Sequence, residues 1–249
     1  MSTPPSVQTD ARPSTPPVAP VSGVDAAFVA LVTYDQGSSR GDLLPIDRAV
    51  IAGLNDRKAR AELERRLVAA REYLCSKLTL IGSEFALPAL ATLLGHPDLA
   101  TAARNALESS PHGQASKVLR QRLPELAGVQ QVGVIQSLGI RRDARSITAL
   151  TRLLTHPSLE VVSATTAALG EIGTPSAAKA LRDFLPRVPQ ALQLVAADAC
   201  LVCAERLLKA GQPTDARRLY GLLTASNQPK QVQSAATQGL TAVATAKRS

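Results

Sequence analysis

Residues 106–124, ALESSPHGQASKVLRQRLP, align without a gap on residues 168–186, ALGEIGTPSAAKALRDFLP, at an offset of 62. Eight positions are identical, among them Ala106/Ala168, Leu107/Leu169, Lys117/Lys179, Leu119/Leu181, Arg120/Arg182 and Pro124/Pro186. Between the two stretches lies IQSLGIRRDARSITALTRLLTHP (135–157), and before them LTLIGSEFALPALATLLGHP (78–97). The leucines Leu90, Leu119, Leu150 and Leu181 follow one another at 29, 31 and 31 residues. That step holds one helical hairpin and no strand. A fixed period of this size is the mark of a stacked repeat array, and it predicts that the hairpins pile into a solenoid.

Each unit has the same internal order. A first helix ends in a small residue or glycine (Gly82, Gly139, Gly170 or Gly173), as a C-cap would. A turn and a second helix with a leucine pair follow, Leu93-Leu94 or Leu153-Leu154, closed by His96-Pro97 or His156-Pro157. Proline cannot continue a helix, so it acts as the stop. The middle unit reads as carrying a three-residue insertion within Gly139-Ile140-Arg141-Arg142-Asp143-Ala144.

Composition agrees with helix. Of the 249 residues 45% are hydrophobic, but only 2% are aromatic and Trp is absent. Ala and Leu favour helices, whereas strands draw on β-branched and aromatic residues. The same scarcity argues against modules that stack bases on rings. With three His and three Cys, well separated, a zinc cage is poorly supplied. Cys75, Cys200 and Cys203 have no framework spacing, which points to a reducing compartment, and no apolar run has the length of a membrane span. The cytoplasm is the expected location.

The organisation read from the chain has four parts. Residues 1–23, with six Pro, form a disordered tail. Residues 24–69 form an N-terminal helical cap and 70–189 the repeats. Residues 190–249 hold a looser hairpin, TPR-like in look, and a last capping helix.

The motif Ala168-Leu169-Gly170-Glu171-Ile172-Gly173, running on through Leu181, resembles the ALGxIGxPxAxxAL signature of bacterial HEAT-like repeats. LIGSEFALPALATLL, SLGIRRDA and DACLVCAERLLKAG also resemble a planctomycete and verrucomicrobial group of HEAT-repeat proteins of unassigned function. In that group a TYDxGxxR-type segment precedes the array, as Thr33–Arg40 does here. The resemblance implies an all-α, right-handed solenoid whose second helices line a concave inner face. On that face Lys117, Arg120, Arg145, Arg152, Lys179 and Arg182 form a basic ridge. The turn around Arg141 and Arg142 is expected to project from one edge.

A net charge of +8 favours an anionic partner. The function expected is a non-enzymatic scaffold or adaptor that binds an acidic protein on the concave face. Nucleic-acid backbone binding through the same ridge is the alternative, and a lyase- or glycosylase-like repeat enzyme comes third. No catalytic residue, cofactor or metal site is expected. The Cys200-Leu201-Val202-Cys203 spacing falls in mid-helix among apolar neighbours, not at the helix N-terminus that a redox pair uses. His96 and His156 occupy equivalent turns and read as punctuation.

Overall fold

The computed structural model describes residues 26–27, 30, 41, 44–53, 86–225 and 228–246. The Pro-rich tail, most of the N-terminal cap, the Thr33–Arg40 segment, Cys75 and Gly82 lie outside the described residues. The chain divides into two compact units, Met1–Ala70 and Arg71–Ser249. In the first, helix α1 (Leu44–Gly53) buries Ile46 and leaves Ile51 exposed.

The second unit is an all-α solenoid. Helix α2 (Leu87–Leu93) is followed by hairpins α3 (Ala100–Ser109)/α4 (Gly113–Arg122), α5 (Gly128–Ile140)/α6 (Ile147–Leu153), α7 (Leu159–Ile172)/α8 (Pro175–Phe184) and α9 (Gln193–Lys209)/α10 (Pro213–Leu223). Helix α11 (Lys230–Ala246) follows the last hairpin. Among the described residues every regular element is a helix or a short 3₁₀ turn.

The first helices carry the stack. α5 packs on α3, α7 on α5 and α9 on α7, more extensively than any second helix packs on the next. α7 is apolar or small nearly all round, with nine buried residues from Val161 to Ile172, as a helix with neighbours on most sides must be. α8 instead shows one buried stripe, Ala177, Ala178, Leu181 and Phe184, and an outer face of Ser176, Lys179 and Asp183. The repeat leucines Leu90, Leu119, Leu150 and Leu181 are all buried in the continuous core.

Register between first helices is set by small residues. A Cβ on Gly139 would lie 2.8 Å from Ala168 Cα, and one on Gly170 would lie 2.7 Å from the Ala199 carbonyl oxygen. Gly139 and Gly170 therefore lie inside their helices as contact points, and the expectation that they act as C-caps is corrected. The caps come three residues later. Gly173 has φ +61°, Gly211 has φ +71° and Arg142 has φ +51°.

Those caps also remove the expected insertion. Asp143 N donates to Leu138 O and Arg142 N to Gly139 O, the paired bonds of a Schellman turn. Arg142 thus corresponds to Gly173, and the N-cap Asp143 to the N-cap Thr174. Buried Ser146 matches buried Ala177 and Leu150 matches Leu181, so the 31-residue offset runs through this turn without a gap.

The inter-hairpin turns explain the His-Pro pairs. His96 Nδ1 accepts from the Asp98 amide at 3.2 Å, and His156 Nδ1 from the Ser158 amide at 3.1 Å. Each imidazole satisfies an amide just before the next first helix, as an Asx side chain does in its own turn. At the far end α11 buries Val232, Ala236 and Val243 and turns Gln231, Ser234, Thr237 and Thr241 outward.

Candidate functional site

The turn joining α5 to α6 lies against the N-terminal half of α4, and the two enclose a cleft of about 590 Å³. Its lining includes Lys117 and Arg120 from α4 and Arg141, Arg142 and Arg145 from the turn. These five cations, expected on two separate features of the surface, are brought together by the structure. Arg152, Lys179 and Arg182 do not line the cleft.

The five do different work. Arg141 turns inward. Its Nη1 donates to the carbonyl oxygens of Leu107 (2.9 Å), Glu108 (2.7 Å) and Ser110 (2.7 Å), its Nη2 to His112 O and its Nε to Ser116 Oγ. The last turn of α3 leaves carbonyls with no partner of its own, and this one guanidinium satisfies them. Burial lowers the Arg141 pKa from its ordinary value, against the pull of Asp143 and Glu108. The expectation that Arg141 projects from the edge is corrected, because its ungapped counterpart is the buried Ile172.

Arg120 reaches across to the next hairpin and donates to Asp143 Oδ1 at 2.6 Å, with both side chains mostly buried. It holds the cleft wall in place. Lys117, Arg142 and Arg145 are exposed, and their side chains make no ion pair or hydrogen bond among the described residues. Lys179 is exposed but bonded to Asp183 Oδ2 at 2.7 Å. That bond, foremost, holds the Asp183 carboxyl below its usual range.

A second cleft, of about 440 Å³, shares Arg142 with the first and adds Glu205, Arg206 and Lys209 from α9. Arg206 lies over Gly173 and is ion-paired with Glu171. Arg206 and Lys209 were not foreseen as site residues. They sit in the last turn of a first helix, and the register that carries them to Arg142 passes through the chain between α8 and α9, where the 31-residue step breaks.

No group of three or more His, Cys, Asp or Glu able to hold a metal occurs among the described residues. Cys200 and Cys203 are buried in α9, and burial pushes both thiols up to about 12. They are neutral core residues. A polar network does occur between α3 and α5, where Ser137 Oγ donates to Glu108 at 2.6 Å and Arg104 donates to both. Ser137 is fully buried there, so the network joins the two helices.

Residues 116–200, about a third of the chain, match the family model of HEAT repeats. That stretch is built of HEAT-like repeats. It runs from the middle of α4 to the middle of α9 and includes the turn that carries Arg141 and Arg142. No curated protein matches the chain. HEAT-like repeats serve in general as surfaces for protein interaction rather than as catalysts.

Proposed function

We propose that the protein is a non-catalytic scaffold that binds an acidic protein partner. The observation that carries this reading is the sidedness of charge in the stack. The second helices α4, α6, α8 and α10 hold eight Lys or Arg and two Asp, whereas the first helices α3, α5, α7 and α9 hold three Lys or Arg and five Asp or Glu. Stacking buries most of each first helix, and the row of second helices, which packs less on its neighbours, is the cationic one. Complementary charge of this kind speeds encounter and selects among partners more than it adds affinity. The reading places the scaffold in the cytoplasm, where buried thiols such as Cys200 and Cys203 stay reduced.

The test is capture from nuclease-treated extract, with wild type beside Lys117→Glu/Arg152→Glu/Arg182→Glu. The expected result is a polypeptide held by wild type and absent from the variant. Release of the captured material by nuclease would transfer the function to nucleic-acid backbone. Equal capture by both baits would contradict the acidic-partner reading.

A further inference from the structure

We propose that the two clefts joined at Arg142 form the docking site for an extended, carboxylate-rich segment of a protein partner, a proposal that rests on the acidic-partner reading above. The site lies on the edge made by the intra-hairpin turns, not along the whole row of second helices.

Three observations converge on it. Lys117, Arg142 and Arg145 are exposed, unpaired among the described residues, and line one cleft whose walls are held by the inward Arg141 and the Arg120–Asp143 pair. The charges are thus free while their supports are not, which suits a binding site whose scaffold is fixed before the ligand arrives. Elsewhere on the cationic side Lys179 is engaged by Asp183, and Arg152 and Arg182, unpaired among the described residues, line neither cleft.

Arg142 also occupies a position that its own backbone disfavours. In the turns that end α7 and α9 the left-handed residue is Gly173 or Gly211, which bears no Cβ. The corresponding residue between α5 and α6 is Arg142, at φ +51°. A left-handed arginine carries a steric cost that glycine avoids. The cap needs only the conformation, so the arginine side chain adds nothing to it; what it adds is a cation shared by both clefts.

The size and lining select the ligand. At about 590 and 440 Å³ each cleft falls in the range of about 300–1,000 Å³ that holds a drug-sized molecule, so one isolated anion would leave most of the space empty. A chain passing Arg142 fills both and can place successive carboxylates against Lys117, Arg145 and Lys209. Guanidinium groups take carboxylates through paired hydrogen bonds. Neither lining contains an aromatic ring on which a base could stack.

The experiment follows a labelled oligoglutamate peptide by fluorescence anisotropy, using the full chain, with oligothymidylate at equal charge as the competitor class. Wild type is expected to bind the peptide with an affinity that falls as salt rises. Arg142→Gly is expected to bind at least about tenfold more weakly, about 1.4 kcal/mol, while melting no lower than wild type. Lys117→Glu/Arg145→Glu is expected to abolish binding, and Arg152→Glu/Lys179→Glu to stay within about threefold of wild type. Full affinity in Arg142→Gly and in Lys117→Glu/Arg145→Glu would overturn the cleft and leave the acidic-partner reading standing. Loss in Arg152→Glu/Lys179→Glu alone would move the site to the second helices. No binding by wild type would overturn both readings, and tighter binding of oligothymidylate would overturn the commitment to a protein segment.

Discussion

Arg141 and Arg142 are adjacent and take opposite directions, because one follows a helix end and the other leaves it. Arg141 stands where the next repeat has a buried isoleucine, and its guanidinium is held only by replacing water with carbonyls of the α3 end and the turn after it and with the Ser116 hydroxyl. Hydrogen bonds to a charged group contribute about 1.5–3 kcal/mol, and the carbonyls left behind have no substitute partner. Arg141→Ala should therefore lower stability by about 3 kcal/mol in urea titration, and Arg141→Lys should recover little of it, since an ammonium cannot span the same fork. A loss under about 1 kcal/mol would show that water replaces the guanidinium. The two thiols of α9 give a second residue-scale expectation. Their folded values of about 12 lie above the ~8.5 of a free thiol. A raised acid is neutral in the fold, so its contribution is intact below about pH 8.5 and is lost as pH climbs toward 12. Alkaline unfolding should set in across that window, and Cys200→Ala/Cys203→Ala should flatten the slope.

At the scale of elements, the decisive contacts are between backbones. Gly139 meets Ala168 and Gly170 meets Ala199 because two first helices approach closer than any Cβ allows. At the corresponding place in the α3–α5 pair stand Glu108 and Ser137, joined by a hydrogen bond instead. Gly170→Ala should cost about 1–3 kcal/mol, since backbone of the facing helix has to move. Gly113→Ala, at the open start of α4 with nothing within 4 Å, should be neutral or mildly stabilising. Equal effects in thermal melts would contradict the close approach. This scale also shows what a sequence can and cannot disclose. The leucine spacing is legible because a buried leucine repeats whenever the hairpin does, and the solenoid follows from it. Gly139 is not legible as a contact, since a glycine near a helix end looks the same whether it caps the helix or admits a neighbour. Arg142 is legible as a replaced cap glycine only when the 31-residue offset is carried through the turn. The inward course of Arg141 is not, because a guanidinium reaches several residues and its acceptors are carbonyls common to every sequence.

At the scale of the whole unit, the solenoid separates two tasks. The first helices supply the stacked core, and the second helices and turns carry most of the cations. Because each hairpin touches only its neighbours, surface charges can be placed without disturbing the core, and a cleft can open at each turn. Three cations unpaired among the described residues, Lys117, Arg142 and Arg145, meet beside one of these turns, where an arginine stands in place of the cap glycine. The most direct measurement is an amide chemical-shift titration of the full chain with the oligoglutamate peptide. Shifts are expected to be confined to residues 113–117, 142–145 and 205–211, on both clefts that meet at Arg142. Shifts that instead follow Arg152, Lys179 and Arg182 along the second helices, or that do not appear at all, would contradict the docking site at Arg142.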